Sequence, residues 1–238
     1  MAYQGLSVLA VVPARGGSKG IYKKNLCEID GLSLIAHAGD LLQEIPWIDQ
    51  KIISTDDLEM QEEGLGHGLG APFLRSAEIA TDDSSSKDVL KDAWQKAEEY
   101  FARIFDICLL IEPTSPLRQR SDIEATIKAL IDSNASAALT VSQTPAKYTL
   151  EKSLLIDEEG SVSFRLETPI DFSIRQRIQT VYHRNGLCYA FKRRQLFDYD
   201  CLIERDTVAV ISDREVVNID TEFDMKLAGW ILDEKKKP

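Results

Sequence analysis

Apolar and polar positions along the chain follow two periods that alternate. The runs Val8-Leu9-Ala10-Val11-Val12, Lys51-Ile52-Ile53-Ser54, Asp106-Ile107-Cys108-Leu109-Leu110-Ile111 and Ala137-Ala138-Leu139-Thr140-Val141 are short and dense in apolar residues. Such runs predict strands buried on both faces. Between them apolar residues recur at helical spacing: Leu34, Ile35, Ala38, Leu41 and Leu42, then Val89, Leu90, Ala93, Trp94, Ala97 and Phe101, then Ile123, Ile127, Leu130 and Ile131. Each set makes one apolar stripe on a helix. The alternation predicts a mostly parallel sheet between helical layers, an α/β/α arrangement.

From Pro145 to Tyr182 the pattern changes. Leu154-Leu155-Ile156 and Val162-Ser163-Phe164-Arg165-Leu166 flank the turn Asp157-Glu158-Glu159-Gly160. They predict a hairpin outside the main sheet, so residues 145–182 read as a small inserted subdomain or dimerisation arm within one domain spanning 1–238. The sheet is expected to resume at Gly186–Phe191 and Thr207–Ile211. A last strand is expected within Val216–Glu222, with Asn218 and Asp220 on one face. The helix after it would bury Phe223, Leu227, Trp230 and Ile231.

Polar residues at element ends read first as caps. Asp56 and Asp57 precede a helix through Leu58 and Met60, Ser84-Ser85-Ser86 precede the Val89 helix, and Ser121-Asp122-Ile123-Glu124 has the spacing of a capping box. Acids at strand ends are also site candidates in a doubly wound sheet. Serines at a helix start can likewise contact a ligand over its N-terminus. Gly64 to Gly70 has glycine at every second position but little flanking charge, and reads as a flexible connection after a weak helix.

Composition narrows the partners. The chain has 238 residues and a formal charge of −11, which argues against nucleic acid and anionic membranes and makes any local basic patch more telling. No apolar run reaches membrane-spanning length, and the N-terminus shows no signal-peptide pattern. Cys27, Cys108, Cys188 and Cys201 lie far apart and read as reduced thiols, which points to the cytoplasm.

That basic patch follows the first strand. Pro13-Ala14-Arg15-Gly16-Gly17-Ser18-Lys19-Gly20 ends the strand in a glycine turn, and Arg15, Lys19, Lys23 and Lys24 crowd it with cations. Fixed cations and free backbone N–H groups suit a polyanion such as a nucleoside triphosphate. The spacing fits neither the Walker A loop nor GxGxxG. An ordinary turn with solvated lysines is the alternative. Asp220 and Glu222 carry a similar choice between capping and metal binding.

Five motifs occur in the order PARGGSKGI with KKN, ISTDD, LRSAE with ATDDSSS, PTSPLR, and RNG with Tyr189 followed by NIDTEFD. Together they span almost the whole chain. In this order the sequence resembles the CMP-sialic acid synthetases, the acylneuraminate cytidylyltransferases. The resemblance implies a Rossmann-like nucleotidyltransferase fold with a swapped dimerisation subdomain. It also implies coupling of a nine-carbon α-keto acid sugar to CTP, with Mg²⁺ and release of pyrophosphate. Carried over by motif, Ala14, Arg15, Gly16, Ser18, Lys24, Asn25, Arg75 and Ser86 fall at nucleotide positions. Glu112, Lys147, Arg175, Tyr182 and Asn185 fall near the sugar acid. Asp220 falls at a metal-binding aspartate with Asn218 beside it, and Arg15, Lys24 and Asp220 are the catalytic candidates.

Two positions depart from the family pattern. Asn218 stands where the family usually has an aspartate, leaving one carboxylate and one amide oxygen. Glu112 stands where it usually has glutamine, an acid placed near an anionic sugar. Activation of legionaminate, pseudaminate, deaminated sialate or Kdo is therefore an alternative, and a non-catalytic nucleotide-binding protein is a third reading.

Overall fold

The computed structural model describes residues 3–17, 20–81, 83–166 and 179–236. Its frame is a six-stranded sheet of β1 (Val8–Pro13), β4 (Gln50–Ser54), β5 (Ile107–Leu110), β6 (Ala137–Gln143), β9 (Tyr182–Lys192) and β10 (Val208–Ile211), in the order β10-β6-β9-β5-β1-β4. Strands β4, β1 and β5 are parallel, with Val11 opposite Ile52 on one side and Leu110 on the other. Strand β9 runs antiparallel between β5 and β6, and β10 is parallel to β6. Two short pairs stand outside the sheet: β2 (Glu28–Ile29) with β3 (Leu32–Ser33), and β7 (Leu154–Ile156) with β8 (Val162–Phe164).

Alternation along β1 divides the core. Val8, Ala10 and Val12 pack with α1 (Leu34–Gln43), α2 (Leu58–Gly66) and α4 (Arg120–Asp132) through Ile35, Leu42, Met60, Ile123 and Ile127. Leu9 and Val11 pack on the other face with α3 (Ser86–Phe101) and α5 (Arg193–Phe197) through Leu90, Trp94 and Leu196. The three-layer arrangement predicted from the two periods is the one found. A third cluster joins Ile29, Leu34, Leu117, Val217, Ile219 and Ala228, and ties α6 (Glu222–Lys236) to the front of the domain.

Several local expectations are corrected. Residues 216–221 form no strand: Val217 and Ile219 are buried and Asn218 and Asp220 exposed, as alternation requires, but the segment is held by Ile219 N donating to Thr114 O at 2.8 Å. Phe223 and Trp230 lie outside the apolar face of α6, at 71% and 60% exposure; Leu227 and Ile231 do pack inward. Helix α2 continues through Gly66, and Gly70 bridges to Ile52 beside β4, so the glycine-rich stretch is ordered secondary structure and sheet edge. The box on α4 starts at Gln119, whose N–H donates to the Asp122 carboxylate at 2.7 Å, two residues before the expected start. Helix formation there begins earlier because Arg120 and Ser121 can extend the helix once Asp122 satisfies that backbone group.

Candidate active site

The chain leaves β1 toward β4 on one side and returns through α3 to β5 on the other. The crevice outside the carboxyl ends of β1 and β5 is thus a switch point, where doubly wound sheets hold their ligands. A cavity of about 410 Å³ lies there. That volume suits a small-molecule ligand. Pro13 and Arg15 reach it from the end of β1, Glu112, Pro113 and Thr114 from the end of β5, and Ser84, Ser86 and Val89 from the start of α3.

The glycine turn brings Arg15 and Lys24 to the cavity. Lys24 Nζ donates to Ile219 O at 2.7 Å and to Asp220 Oδ1 at 3.0 Å. This ion pair draws the last motif of the sequence against the first. Gly20 permits the approach, because a Cβ there would stand 2.7 Å from the Asp220 carbonyl oxygen. Asn25 is buried beneath the turn, its side-chain amide 3.5 Å from Arg15 O. Lys23, by contrast, pairs outward with Glu59 and with Asp57 at 3.5 Å.

The two aspartates of ISTDD divide their work. Asp57 Oδ1 accepts from Glu59 N at 2.8 Å and Met60 N at 3.2 Å, capping α2 as predicted. Asp56 instead accepts from Gly16 N at 3.0 Å and so fastens the start of the glycine turn. The sequence offered both as caps first and as site residues second; adjacent residues in an extended segment point opposite ways, so one caps the helix and the other turns to the site. Arg75 is buried at the cavity, with Nε donating to Ser54 Oγ at 3.2 Å. Burial pushes its guanidinium below the usual arginine range, Asp56 and Asp92 oppose this, and Arg15 adds to it. Ser85 is the cap of α3, accepting from Asp88 N at 3.1 Å, which leaves Ser84 and Ser86 to face the cavity.

The opposite wall is built by PTSPLR. Arg118 is buried, and its guanidinium donates to the carbonyls of Glu112, Leu187 and Gly186, the last at 3.1 Å. Among the described residues no carboxylate is bonded to it, and burial pushes Arg118 down to about 10. Burial likewise raises the Glu112 carboxyl above its ordinary value; Arg118 and Arg184 counter that, Asp220 adds to it, and Lys24 counters it. Opposite, the β6–β9 ladder slips between Leu139 and Val141, and Gly186 takes a φ of +74° in that stretch. Bulges of this kind re-aim side chains beside active sites.

The structure therefore gathers Arg15, Lys24, Asn25, Arg75, Ser86, Glu112 and Asp220 on one cavity. Other candidates stand apart. Ala14 is fully buried, bonded through its N–H to Ser54 O at 3.0 Å. Gly16 lies at the turn beside Asp56 and Asp57. Asn185 is buried, its amide donating to Ser142 Oγ at 3.0 Å and its Oδ1 accepting from Leu187 N at 3.2 Å. Asn218 is exposed next to Gly186. Lys147 lies off the cavity with its ammonium 4.7 Å from the Tyr148 ring centroid, and Tyr182 is 47% exposed at the start of β9. Ser18 and Arg175 lie outside the described residues. Arg118 and Gly186 stand inside the PTSPLR and RNG motifs, but the sequence assigned neither a role. An arginine directly after buried Leu117 in a proline-braced segment was the available signal for the first.

The fold is that of an α/β protein with a ligand cavity at its switch point, and the family match makes the class a nucleotidyltransferase. Residues 9–214 match the cytidylyltransferase family model, and the chain belongs to that family. This bears out the resemblance to the acylneuraminate cytidylyltransferases. The chain is 29% identical to the post-translational flagellin modification protein B of Campylobacter coli, with 96% of each chain covered. It is 28% identical to the CMP-N,N'-diacetyllegionaminic acid synthase of Legionella pneumophila, covering 97% of this chain and 96% of that one. The structure of a CMP:2-keto-3-deoxy-manno-octonic acid synthetase complexed with CTP shares the fold at a TM-score of 0.70 and 18% identity, covering 96% of this chain and 99% of that one. Among the described residues no helix is long and apolar enough to cross a membrane.

Proposed function

We propose that this cytidylyltransferase couples CTP to a nonulosonic, sialic-type acid, giving a CMP-sugar and pyrophosphate. The observation that carries the reading is the shared cavity of Arg15, Lys24, Arg75 and Asp220 at the β1/β5 switch point. A relative named for CMP-N,N'-diacetyllegionaminic acid and another named for N-acylneuraminate support the sugar class. The nucleotide lies with its phosphates along the glycine turn and its base toward Arg75 and Ser86. The sugar acid lies toward Glu112, and the family resemblance adds Asn185, Tyr182, Lys147 and Arg175, of which an arginine fork and a lysine point charge suit its carboxylate.

The sugar's anomeric hydroxyl attacks the α-phosphorus; an O–P bond forms as the bond to pyrophosphate breaks. Arg15 and Lys24 stabilise charge on the transferring and leaving oxygens, and the rigid walls hold the reactants in line. Among the described residues there is no cluster of three or more His, Cys, Asp or Glu suited to a metal. Mg²⁺ does not need one, since it is often held by one or two carboxylates with phosphate oxygens and water. Asp220, with its side chain 78% exposed at the cavity, fits that donor set, with the Asn218 amide oxygen as a weaker neighbour. Bound there, Mg²⁺ would neutralise phosphate charge and acidify the attacking hydroxyl.

The test is pyrophosphate release with CTP, Mg²⁺ and a panel of N-acetylneuraminate, legionaminate, pseudaminate, deaminated sialate, Kdo and a sugar 1-phosphate. Release with one or more of the nine-carbon acids is expected. Release with Kdo or the sugar phosphate alone would move the enzyme to another sugar class, and CTP binding without release would make it a binding protein.

The hairpin of β7 and β8 exposes Leu154, Leu155, Ile156, Val162 and Phe164. An apolar surface of this kind supports the reading of residues 145–182 as a dimerisation arm. Light scattering is expected to give twice the chain mass; a monomer at micromolar concentration would remove the arm from that role.

A further inference from the structure

We propose that Glu112 sorts substrates by hydrogen-bond polarity, with Arg118 and Gly186 as the positioning residues that aim its carboxylate into the cavity. The inference rests on the sugar-acid reading above and names what that sugar must present: a donor, either hydroxyl, amide N–H or ammonium, at the Glu112 wall. Among the described residues no hydrogen bond reaches the Glu112 carboxylate, although the side chain lines the cavity. An ionised carboxylate accepts only, whereas an amide at the same place would both donate and accept. A ligand donor completes this wall. A ligand acceptor leaves two oxygens facing each other, which costs more in a partly desolvated site than in water.

The aim of the carboxylate is set by its surroundings. Pro113 restricts Glu112 to extended backbone. Arg118 bonds the Glu112 carbonyl on one side and those of Gly186 and Leu187 on the other, so the end of β5 and the irregular stretch of β9 move together. Gly186 supplies the space: a Cβ on it would stand 2.8 Å from Glu112 Oε2 and 2.6 Å from Ser115 Oγ. Any side chain there would push the carboxylate out of its place.

Steady-state kinetics with CTP and the panel of nonulosonic acids test this on the intact enzyme, its Glu112→Gln form, its Gly186→Ala form and its Arg118→Lys form. Glu112→Gln is expected to change the ratio of kcat/KM between sugars by about tenfold or more, the scale of one hydrogen bond to a charged group. Gly186→Ala and Arg118→Lys are expected to raise the sugar KM by about tenfold while the KM for CTP stays within about twofold, a split that general loosening of the fold would not give. An unchanged sugar ranking in Glu112→Gln overturns the proposal, as does a loss in the other two shared equally by both substrates. Alanine is strained at a φ of +74°. If Gly186→Ala fails to fold, Glu112→Gln, which keeps the side-chain size, decides alone. A wild-type enzyme that binds CTP and turns over no sugar acid sinks the substrate reading itself, and that outcome is distinct from an active enzyme whose ranking ignores Glu112.

Discussion

Replacing Lys24 with alanine is expected to lower kcat by roughly 10²–10³, the scale for losing one preorganised electrostatic contact to developing charge. Lys24 stands at the cavity, where Nζ is held by Ile219 O at 2.7 Å and Asp220 Oδ1 at 3.0 Å. Its charge is therefore fixed before the nucleotide arrives, and little reorganisation is left for the reaction itself. Lys23, one residue earlier, is the internal control. It points outward to Glu59 and Asp57, and Lys23→Ala should leave kcat within about threefold, as expected for a residue outside the reacting charge. Single-turnover pyrophosphate release separates the two. Equal effects at both positions would mean that the turn contributes general positive potential and that no single cation has a dedicated place.

Arg118→Met is expected to destabilise the protein by on the order of 3 kcal/mol, read from urea denaturation. Two effects compete. Burying a guanidinium is costly, the same desolvation that pushes Arg118 down to about 10, and methionine relieves that cost. Against it, the carbonyls of Glu112, Gly186 and Leu187 lose their donor at once. Each unpaired buried carbonyl costs about 1–3 kcal/mol, and water entering from the cavity holds the sum near the low end. The carbonyls win because they cannot leave with the arginine. An unchanged midpoint would show that burial of the charge and its hydrogen bonds were already in balance.

Much of the sheet was legible because a strand buried on both faces must be dense in apolar residues, as β1 and β5 are throughout and as β4 and β6 are at Ile52-Ile53 and Ala137-Ala138-Leu139. The helices that cover it were legible from one apolar stripe each, down to Trp94 in the core. Where the reading went astray, the signal was shared between two environments. Phe223 and Trp230 have the composition of a core face, but α6 meets the domain along Met225, Leu227, Ala228, Ile231 and Leu232. Residues 216–220 alternate like a strand, yet among the described residues no neighbour offers a ladder, and the segment is held by a backbone bond to Thr114 and by Lys24 on the Ile219 carbonyl.

The sequence by itself determined the α/β order, the cationic glycine turn and the family, since these depend on residues near one another in the chain or on motifs in a fixed order. The tertiary structure alone decided which of those residues share a cavity. It brought Asp220 onto Lys24 from the far end of the chain, turned Asp56 to the glycine turn while Asp57 capped its helix, and set Arg118 across β5 and β9 beneath Glu112. Such contacts follow from sheet order and from the clustering of Ile29, Leu117, Val217 and Ile219. Both are properties of packing between distant segments, which no local pattern encodes.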